Sequence, residues 1–406
     1  MSLQFMIIRS RYIVPMDGAP IEDGAVAVAG NRIVSVGRFE DVKAPRDAEV
    51  LDLGDQILLP GLINAHCHLD YTMLRGKIPP SYSFSEWIRA INAEKATLTA
   101  KDYVESIKEG FAEAQNFGTT TIVNLTAFPE LISEIEEPIR TWWFGELIDV
   151  RNPEQPERIV DLAIHSLKSA RHWGLAPHAP FTSSARLYAR CEEIARHEKV
   201  LLTTHLAESR EEMQMFRQAD GPAFHFLKNI GRPMDDCGGK SPLEYLIQAA
   251  VLDENWIVAH LNELTEGDFD LLARARKFHV VHCPRSHTFF GHAPFALKKL
   301  RALGFNICLG TDSLASNSSL SLFSEMRELL RKEPWISPCE ILEMATVNAA
   351  RALGQAHSLG KIRAGFSADL VAIPVVPSGR DLVDAIVAFE GKIPWMMVKG
   401  ETSSPR

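Results

Sequence analysis

The chain has 406 residues, 46% hydrophobic and 23% charged, a composition typical of globular proteins that build a large core. Its net charge of -9 is spread along the sequence without basic runs or an aromatic-basic stripe. That pattern speaks against nucleic acid or an anionic membrane as the partner. Cysteines 67, 191, 237, 283, 308 and 339 include no C-x-x-C pair. Neither a disulfide framework nor a cysteine zinc site is expected, and a reducing cytoplasm is the natural compartment. No apolar stretch approaches the roughly 18 residues of a membrane span. No signal peptide is read at the amino terminus, where Arg9 and Arg11 interrupt any apolar run.

In chain order, the first 55 residues read as short strands at Phe5–Val14, Ala25–Ala29, Arg32–Val36 and Glu49–Leu53, with Gly30-Asn31 as a hairpin turn. After Gly61, apolar runs alternate with helical patterns such as Asp102–Asn116, Ala185–His197 and Pro294–Leu303. This alternation predicts parallel strands joined by helices. The expected strands are Leu62–His66, Thr120–Leu125, Trp142–Leu147, Gly174–His178, Val200–His205, Trp256–His260, His279–His282 and Asn306–Gly310. A last helix is predicted over Cys339–Leu353, and strand texture returns at Asp369–Ile373 and Trp395–Val398. The expected fold is α/β: a (β/α)8 TIM-like barrel over residues 56–355. A small β domain is expected from both chain termini, residues 1–55 plus 356–406.

Active sites of such barrels lie where the strands end, because the βα loops converge there. His66 and His68 flank Cys67 at the end of the first predicted strand, and residues i and i+2 of an extended segment share a side. His205 closes the fifth strand, with Glu208 in the loop beyond; His260 closes the sixth, and Asp312 follows the eighth. Histidines with an aspartate form a shell for zinc or ferrous iron that leaves room for a water. Each residue alone has a plainer reading. A strand-end histidine can be a hydrogen-bonded core residue, Asp312 a helix cap, and Glu208 a solvated carboxylate at a helix start. Their coincidence at the ends of several strands favours the site. Cys67 is expected to point away from its neighbours.

The segment Leu59-Pro60-Gly61-Leu62-Ile63-Asn64-Ala65-His66-Cys67-His68 resembles the opening metal motif of the amidohydrolase superfamily. Thr204-His205-Leu206-Ala207-Glu208, Ala259-His260, His282-Cys283-Pro284 and Gly310-Thr311-Asp312 resemble its later signatures in the same order. Gly360-Lys361 through Gly365, with Ala368-Asp369-Leu370, resembles the family's returning β segment. Within the superfamily, the chain looks most like the aminohydrolase branch that holds cytosine, guanine, S-adenosylhomocysteine and aminofutalosine deaminases and triazine chlorohydrolases. That resemblance implies one divalent metal, zinc first and iron second, on His66, His68, His205 and Asp312. Members with two metals carry a lysine at the end of strand four, and here that strand ends in His178.

A shell of this kind acidifies bound water to roughly pKa 7 in favourable zinc sites, supplying hydroxide at neutral pH. Asp312 can bind metal and accept the water's proton. Glu208, with His260 beside it, suits proton delivery to a ring nitrogen, after which a tetrahedral adduct can expel ammonia; the resemblance assigns the same roles. The H-x-E with P-C-x-x-C signature of cytidine-type zinc deaminases is absent. Ala176-Pro177-His178-Ala179-Pro180-Phe181-Thr182 looks like the strand-four segment of nucleoside-type deaminases, where His178 would reach a sugar, or instead belong to the metal shell or orient its loop. Ser83-Phe84-Ser85-Glu86-Trp87-Ile88 resembles a segment of aminofutalosine deaminases, where Trp87 would cover a base or pack a helix. After Cys283-Pro284 the chain departs from the branch pattern. Arg285 and His287 there are expected either at the pocket mouth or in surface pairs.

The leading expectation is hydrolytic deamination of an adenine-bearing nucleoside or thionucleoside. The alternatives are a free base such as guanine or cytosine, a triazine substrate, or a barrel that has lost catalysis and only binds. A small molecule is the expected partner, and homo-oligomerisation is left open.

Overall fold

The computed structural model describes residues 5–43, 45, 48–80, 83–375 and 381–403. The amino-terminal segment forms β1 (Phe5–Ile13), β2 (Ile21–Ala29), β3 (Arg32–Arg38), β4 (Glu49–Asp52) and β5 (Gln56–Pro60). β2 and β3 meet through the expected Gly30-Asn31 turn, where Gly30 takes a φ of 56°. Glycine adopts that value at no steric cost.

The parallel strands follow as β6 (Leu62–His68), β7 (Thr119–Thr126), β8 (Arg140–Leu147), β9 (Trp173–Pro177), β10 (Leu201–Leu206), β11 (Trp256–His260), β12 (His279–His282), β13 (Asn306–Leu309) and β14 (Asp312–Ser313). The carboxyl-terminal part adds β15 (Leu370–Pro374), β16 (Trp395–Val398) and β17 (Glu401–Ser403).

Two sheets result. One is ordered β17-β16-β15-β5-β1-β2-β3, with β4 on β1, and so joins both ends of the chain. Gln56–Pro60 belongs to this sheet, pairing with β1 and β15, so the terminal sheet takes in residues assigned to the barrel from sequence. The other is ordered β13-β12-β11-β10-β9-β8-β7-β6-β14, a curled parallel sheet. Its edges, β13 and β14, are successive segments of one chain separated by Gly310 and Thr311. β14 pairs with β6, and Asn64 Nδ2 donates to Thr311 Oγ1 at 2.8 Å.

The strands bury both faces, as parallel sheets covered by helices do. Ile122, Trp143, Leu202, Trp256, Val258 and Val280 pack with helix residues such as Ile107, Phe111 and Leu187. Ile63, Val123, Phe144, Ala176, Ile257, Val281 and Cys308 form a separate cluster on the concave face. The helix Ala100–Asn116 shows how the outer layer is built. Thr99 and Asp102 form a capping box, and Tyr103, Val104, Ile107, Phe111 and Ala114 make its buried side.

Where one long helix is expected over Cys339–Leu353, two short ones form, Pro338–Met344 and Val347–Ala352. The break frees the carbonyl of Ala345 to accept from the Ile63 N–H at 2.8 Å. The Thr346 hydroxyl donates back to the Leu342 carbonyl at 2.7 Å. A helix periodicity carries no trace of such a tertiary acceptor. The break ties the helical layer to the strand that bears His66 and His68.

Gly310 sits at the seam for a steric reason. A Cβ there would lie 2.7 Å from the His66 carbonyl oxygen, 2.8 Å from His66 Cβ and 2.9 Å from Val281 Cγ1. Gly310→Ala is expected to lower stability by about 1–3 kcal/mol through overpacking. Chemical denaturation checks this. An unchanged midpoint would contradict it.

Candidate metal and active site

β6, β10, β11 and β14 bring ligand-type side chains to one point at their carboxyl ends. His66, His68, His205, His260 and Asp312 are all buried. His68 Nε2 and His205 Nε2 lie 3.2 Å apart, and Asp312 Oδ1 lies 3.7 Å from His66 Nε2 and 3.8 Å from His68 Nε2. The His66 ring stands edge-on to both His68 and His205, with centroids 5.1 and 5.0 Å away. Neither His66 nitrogen has a hydrogen-bond partner. Buried polar atoms are ordinarily satisfied. Unpaired imidazole nitrogens facing a carboxylate oxygen therefore fit a divalent cation.

The surroundings prepare these groups for that task. The His178 carbonyl oxygen lies 2.8 Å from His205 Nδ1, which holds the proton on that nitrogen and leaves Nε2 as a lone-pair donor. Burial, with neighbouring His66 and His205, holds His68 well below the usual histidine range, and burial brings His205 down to about 3. Both are neutral, as metal ligation requires. Burial alone would raise the Asp312 carboxyl. The adjacent His66, His260 and His68 rings more than offset it and hold the group well below the usual range. Asp312 Oδ2 accepts from Ser286 Oγ at 2.6 Å and Ser316 Oγ at 3.2 Å, so Oδ1 is the oxygen that faces the histidines. Ser286 lies in the stretch where the sequence departs from the branch pattern, and no spacing marked it.

Glu208 behaves oppositely. Burial, with Asp312 and Glu212 adding their negative charge, pushes its carboxyl well above the usual range and so favours its protonated form. Its Oε2 lies 3.7 Å from His260 Nε2. Two carboxyls whose environments drive them apart in this way suit acid and base roles in one site. The Glu208 loop is fixed by Glu212, whose carboxylate accepts from the Glu208 N–H at 2.8 Å and the Ala207 N–H at 3.3 Å.

Several non-glycine residues here have positive φ: Ala207 at 49°, His260 at 78°, Leu261 at 53° and Asp312 at 57°. Trp256 and Val258 face the helices while Ile257 faces the concave side, so strict alternation would turn His260 outward. The left-handed backbone redirects it. Such conformations cost of order 1–3 kcal/mol each and persist where the surroundings over-determine them.

A cavity of about 450 Å³ opens from this point. His178, Trp87, His205, Glu208, His260 and Asp312 are among its lining residues. Trp87 lies on the helix Phe84–Lys95, stacked on Phe84 and edge-on to Phe290 at 5.0 Å. Glu211 anchors that helix by accepting from the backbone N–H groups of Phe84 and Ser85. The lid-like wall is therefore tied to the loop that carries Glu208. Packed beside it is an apolar wall, with Phe226 and Leu227 on the helix Pro222–Asn229 and Ile230 just after it, a contribution not read from sequence.

Arg285 and His287 lie elsewhere. The Arg285 guanidinium bonds to Ser318 Oγ and lines a separate surface cavity with Arg327 and Arg331. His287 bonds to the Ala293 carbonyl and packs against His282 and His292. Both residues are outside the lining of the cavity that leads to Glu208, because Pro284–Phe290 forms a helix that turns them away. Cys67 points outward as expected, its Sγ donating to the Val123 carbonyl.

The amidohydrolase family model matches residues 57–402. The chain belongs to the amidohydrolase family. It is 31% identical to the 5-methylthioadenosine/S-adenosylhomocysteine deaminase of Pyrococcus furiosus, covering 91% of this chain and 86% of that protein. The deaminase of the same name from Syntrophobacter fumaroxidans is 32% identical, with 88% and 81% covered. Among solved structures, the Helicobacter pylori aminofutalosine deaminase in complex with methylthio-coformycin superposes with a TM-score of 0.86 at 20% identity, covering 98% of this chain and all of that one. A zinc-bound adenosine deaminase from Xanthomonas campestris gives 0.83 at 23% identity, with 99% and 93% covered. Those structures share the fold of this amidohydrolase. No helix among the described residues is long and apolar enough to cross a membrane.

Proposed function

We propose that this amidohydrolase is a metal-dependent deaminase that releases ammonia from the six-amino group of an adenine-bearing nucleoside or thionucleoside. The observation that carries the reading is the meeting of His66, His68, His205 and Asp312 beside the buried Glu208 carboxyl at the base of one cavity. The relatives named above support the substrate class. We take the curled sheet as a complete eight-stranded barrel, with β13 and β14 as the two parts of its eighth strand. The small β domain is then residues 1–55 plus 356–406, and Gln56–Pro60 is the seam.

His66, His68, His205 and Asp312 would hold one ion, and their nitrogen and oxygen donors favour zinc. When bound, such an ion lowers the pKa of a water and so makes hydroxide available at neutral pH. Asp312, held in its ionised form among the histidines, would be the base placed to accept the proton that such a water gives up. Glu208 donates its proton to a ring nitrogen of the purine, which makes the adjacent amidine carbon electrophilic. His260, 3.7 Å from Glu208 Oε2, hydrogen-bonds to the oxygen added at that carbon. The amino nitrogen then takes the proton held by Asp312 and leaves as ammonia, while the adduct's hydroxyl proton returns to Glu208. Trp87 covers the base, and the cavity's volume lies within the roughly 300–1,000 Å³ typical of small-molecule sites.

His178 orients the sugar. Its Nδ1 is engaged by Thr182 Oγ1 at 2.6 Å, leaving Nε2 for the ligand. Binding energy from the sugar then holds the purine carbon in place, so its removal lowers the rate as well as the affinity. His178→Ala is expected to reduce kcat/KM for nucleosides about 10-fold or more, while free adenine changes much less. Comparable efficiency on adenosine derivatives and free bases, unaltered by the substitution, would defeat the sugar anchor. Activity confined to guanine or a triazine would move the enzyme to another substrate class.

A further inference from the structure

Glu146, next to the last residue of β8, takes no part in the chemistry above. Its side chain is 6% exposed and lines the cavity, and its Oε1 has no hydrogen-bond partner. Oε1 lies 3.9 Å from His68 Nδ1 and 4.0 Å from His178 Nε2. Both distances exceed a hydrogen bond, yet each leaves space for a donor group to sit between. A buried carboxylate oxygen without a donor is costly. A carboxylate held at that cost beside the substrate cavity points to donors that arrive with the ligand.

A second cation is the rival occupant, since ligand atoms of Glu146, His178 and His205 lie within 4.8 Å of one another. His205, however, gives its Nδ1 to the His178 carbonyl, and its Nε2 faces His68 Nε2 at 3.2 Å. That leaves Glu146 and His178 as the donors not already committed, fewer than the three or four protein ligands of an ordinary zinc site. Neutral O–H donors fit better. A carboxylate accepts two hydrogen bonds side by side, and adjacent sugar hydroxyls supply two.

We propose that Glu146 accepts the hydrogen bonds of the substrate's vicinal sugar hydroxyls, with His178 beside it, and so selects ribonucleosides over 2′-deoxynucleosides. This rests on the nucleoside reading given above. Its test compares kcat/KM for ammonia release from adenosine and 5′-methylthioadenosine with that from their 2′-deoxy counterparts. Wild type and Glu146→Gln are measured alongside metal content per chain.

Wild type is expected to favour the ribo substrate by at least about 10-fold, because a site built to bind a hydroxyl rejects the analogue lacking it. In Glu146→Gln the ribo-to-deoxy ratio is expected to fall about 10-fold, mainly through KM, with one ion per chain retained. Glutamine keeps one acceptor but turns an N–H toward the other hydroxyl. The ratio measured on wild type alone carries the test if the variant fails to fold.

A wild-type enzyme indifferent to the 2′-hydroxyl would overturn the proposal and leave the deaminase reading intact. Equal losses on both substrates in Glu146→Gln would instead mark Glu146 as a positioning residue for His68. A second ion per chain, lost in the variant, would mark a cation site. Absence of ammonia from every purine nucleoside would overturn the nucleoside reading itself and this inference with it.

Discussion

Glu208→Gln is expected to keep its metal and to lose turnover by about 10²–10⁴-fold. The glutamine preserves the volume beside His260, and Glu212 holds the Glu208 backbone N–H whatever the side chain is. What disappears is the carboxyl proton available for transfer, which burial binds more tightly than on a free glutamate. The loss should therefore fall on kcat, because the proton is delivered in the transition state, and much less on substrate affinity. Steady-state ammonia release with metal analysis of the same sample checks it. A glutamine variant with full metal and a near-normal rate would show that the ring nitrogen is protonated from elsewhere.

Asp312→Ala is expected to have the larger effect, stripping the metal and lowering turnover by more than about 10⁴-fold. The carboxylate faces His66 and His68 with one oxygen and takes two serine hydroxyls with the other. Its loss removes the only anion among the proposed ligands and the acceptor of the water's proton together. Because the serines lose their acceptor as well, the loop around Ser286 and Ser316 should loosen, visible as faster amide exchange there. Added zinc should not restore the rate. A variant that still binds one ion per chain and turns over within about 10-fold of wild type would contradict the roles given to Asp312.

The part of the site that was legible in the sequence rests on local rules. His66 and His68 share a side because strand residues alternate, and His205 and Asp312 stand where apolar runs stop. Those positions need no knowledge of the other strands. His260 came out of its place at a strand end, although its actual orientation depends on a positive φ that alternation does not anticipate. The terminal sheet was legible as strand texture at both ends, but the inclusion of Gln56–Pro60 depends on pairing with β1 and β15, residues far apart in sequence.

Other features were hidden for the same reason. Glu146 is a single carboxylate between Gly145 and Leu147, and it matters because β9 places His178 opposite it. Ser286 becomes a partner of Asp312 through a contact between a short helix and a strand, 26 residues apart in sequence. Arg285 and His287 were drawn to the pocket mouth by proximity in sequence to Cys283 and Pro284. The helix Pro284–Phe290 sends the arginine to another surface and the histidine into a packed loop. Side-chain direction on a short helix after a strand is set by how that helix docks, which periodicity over a few residues does not encode.

The most direct measurement removes the metal with a chelator, restores one equivalent of zinc or ferrous iron, and scores ammonia release across a panel. The panel holds adenosine, 5′-methylthioadenosine, S-adenosylhomocysteine, adenine, guanine and a triazine. The account predicts no release from the stripped protein, recovery at one ion per chain, and higher kcat/KM on the nucleosides than on the free bases. Ammonia release that survives complete metal removal, or activity on free bases and triazines without any on nucleosides, would contradict it.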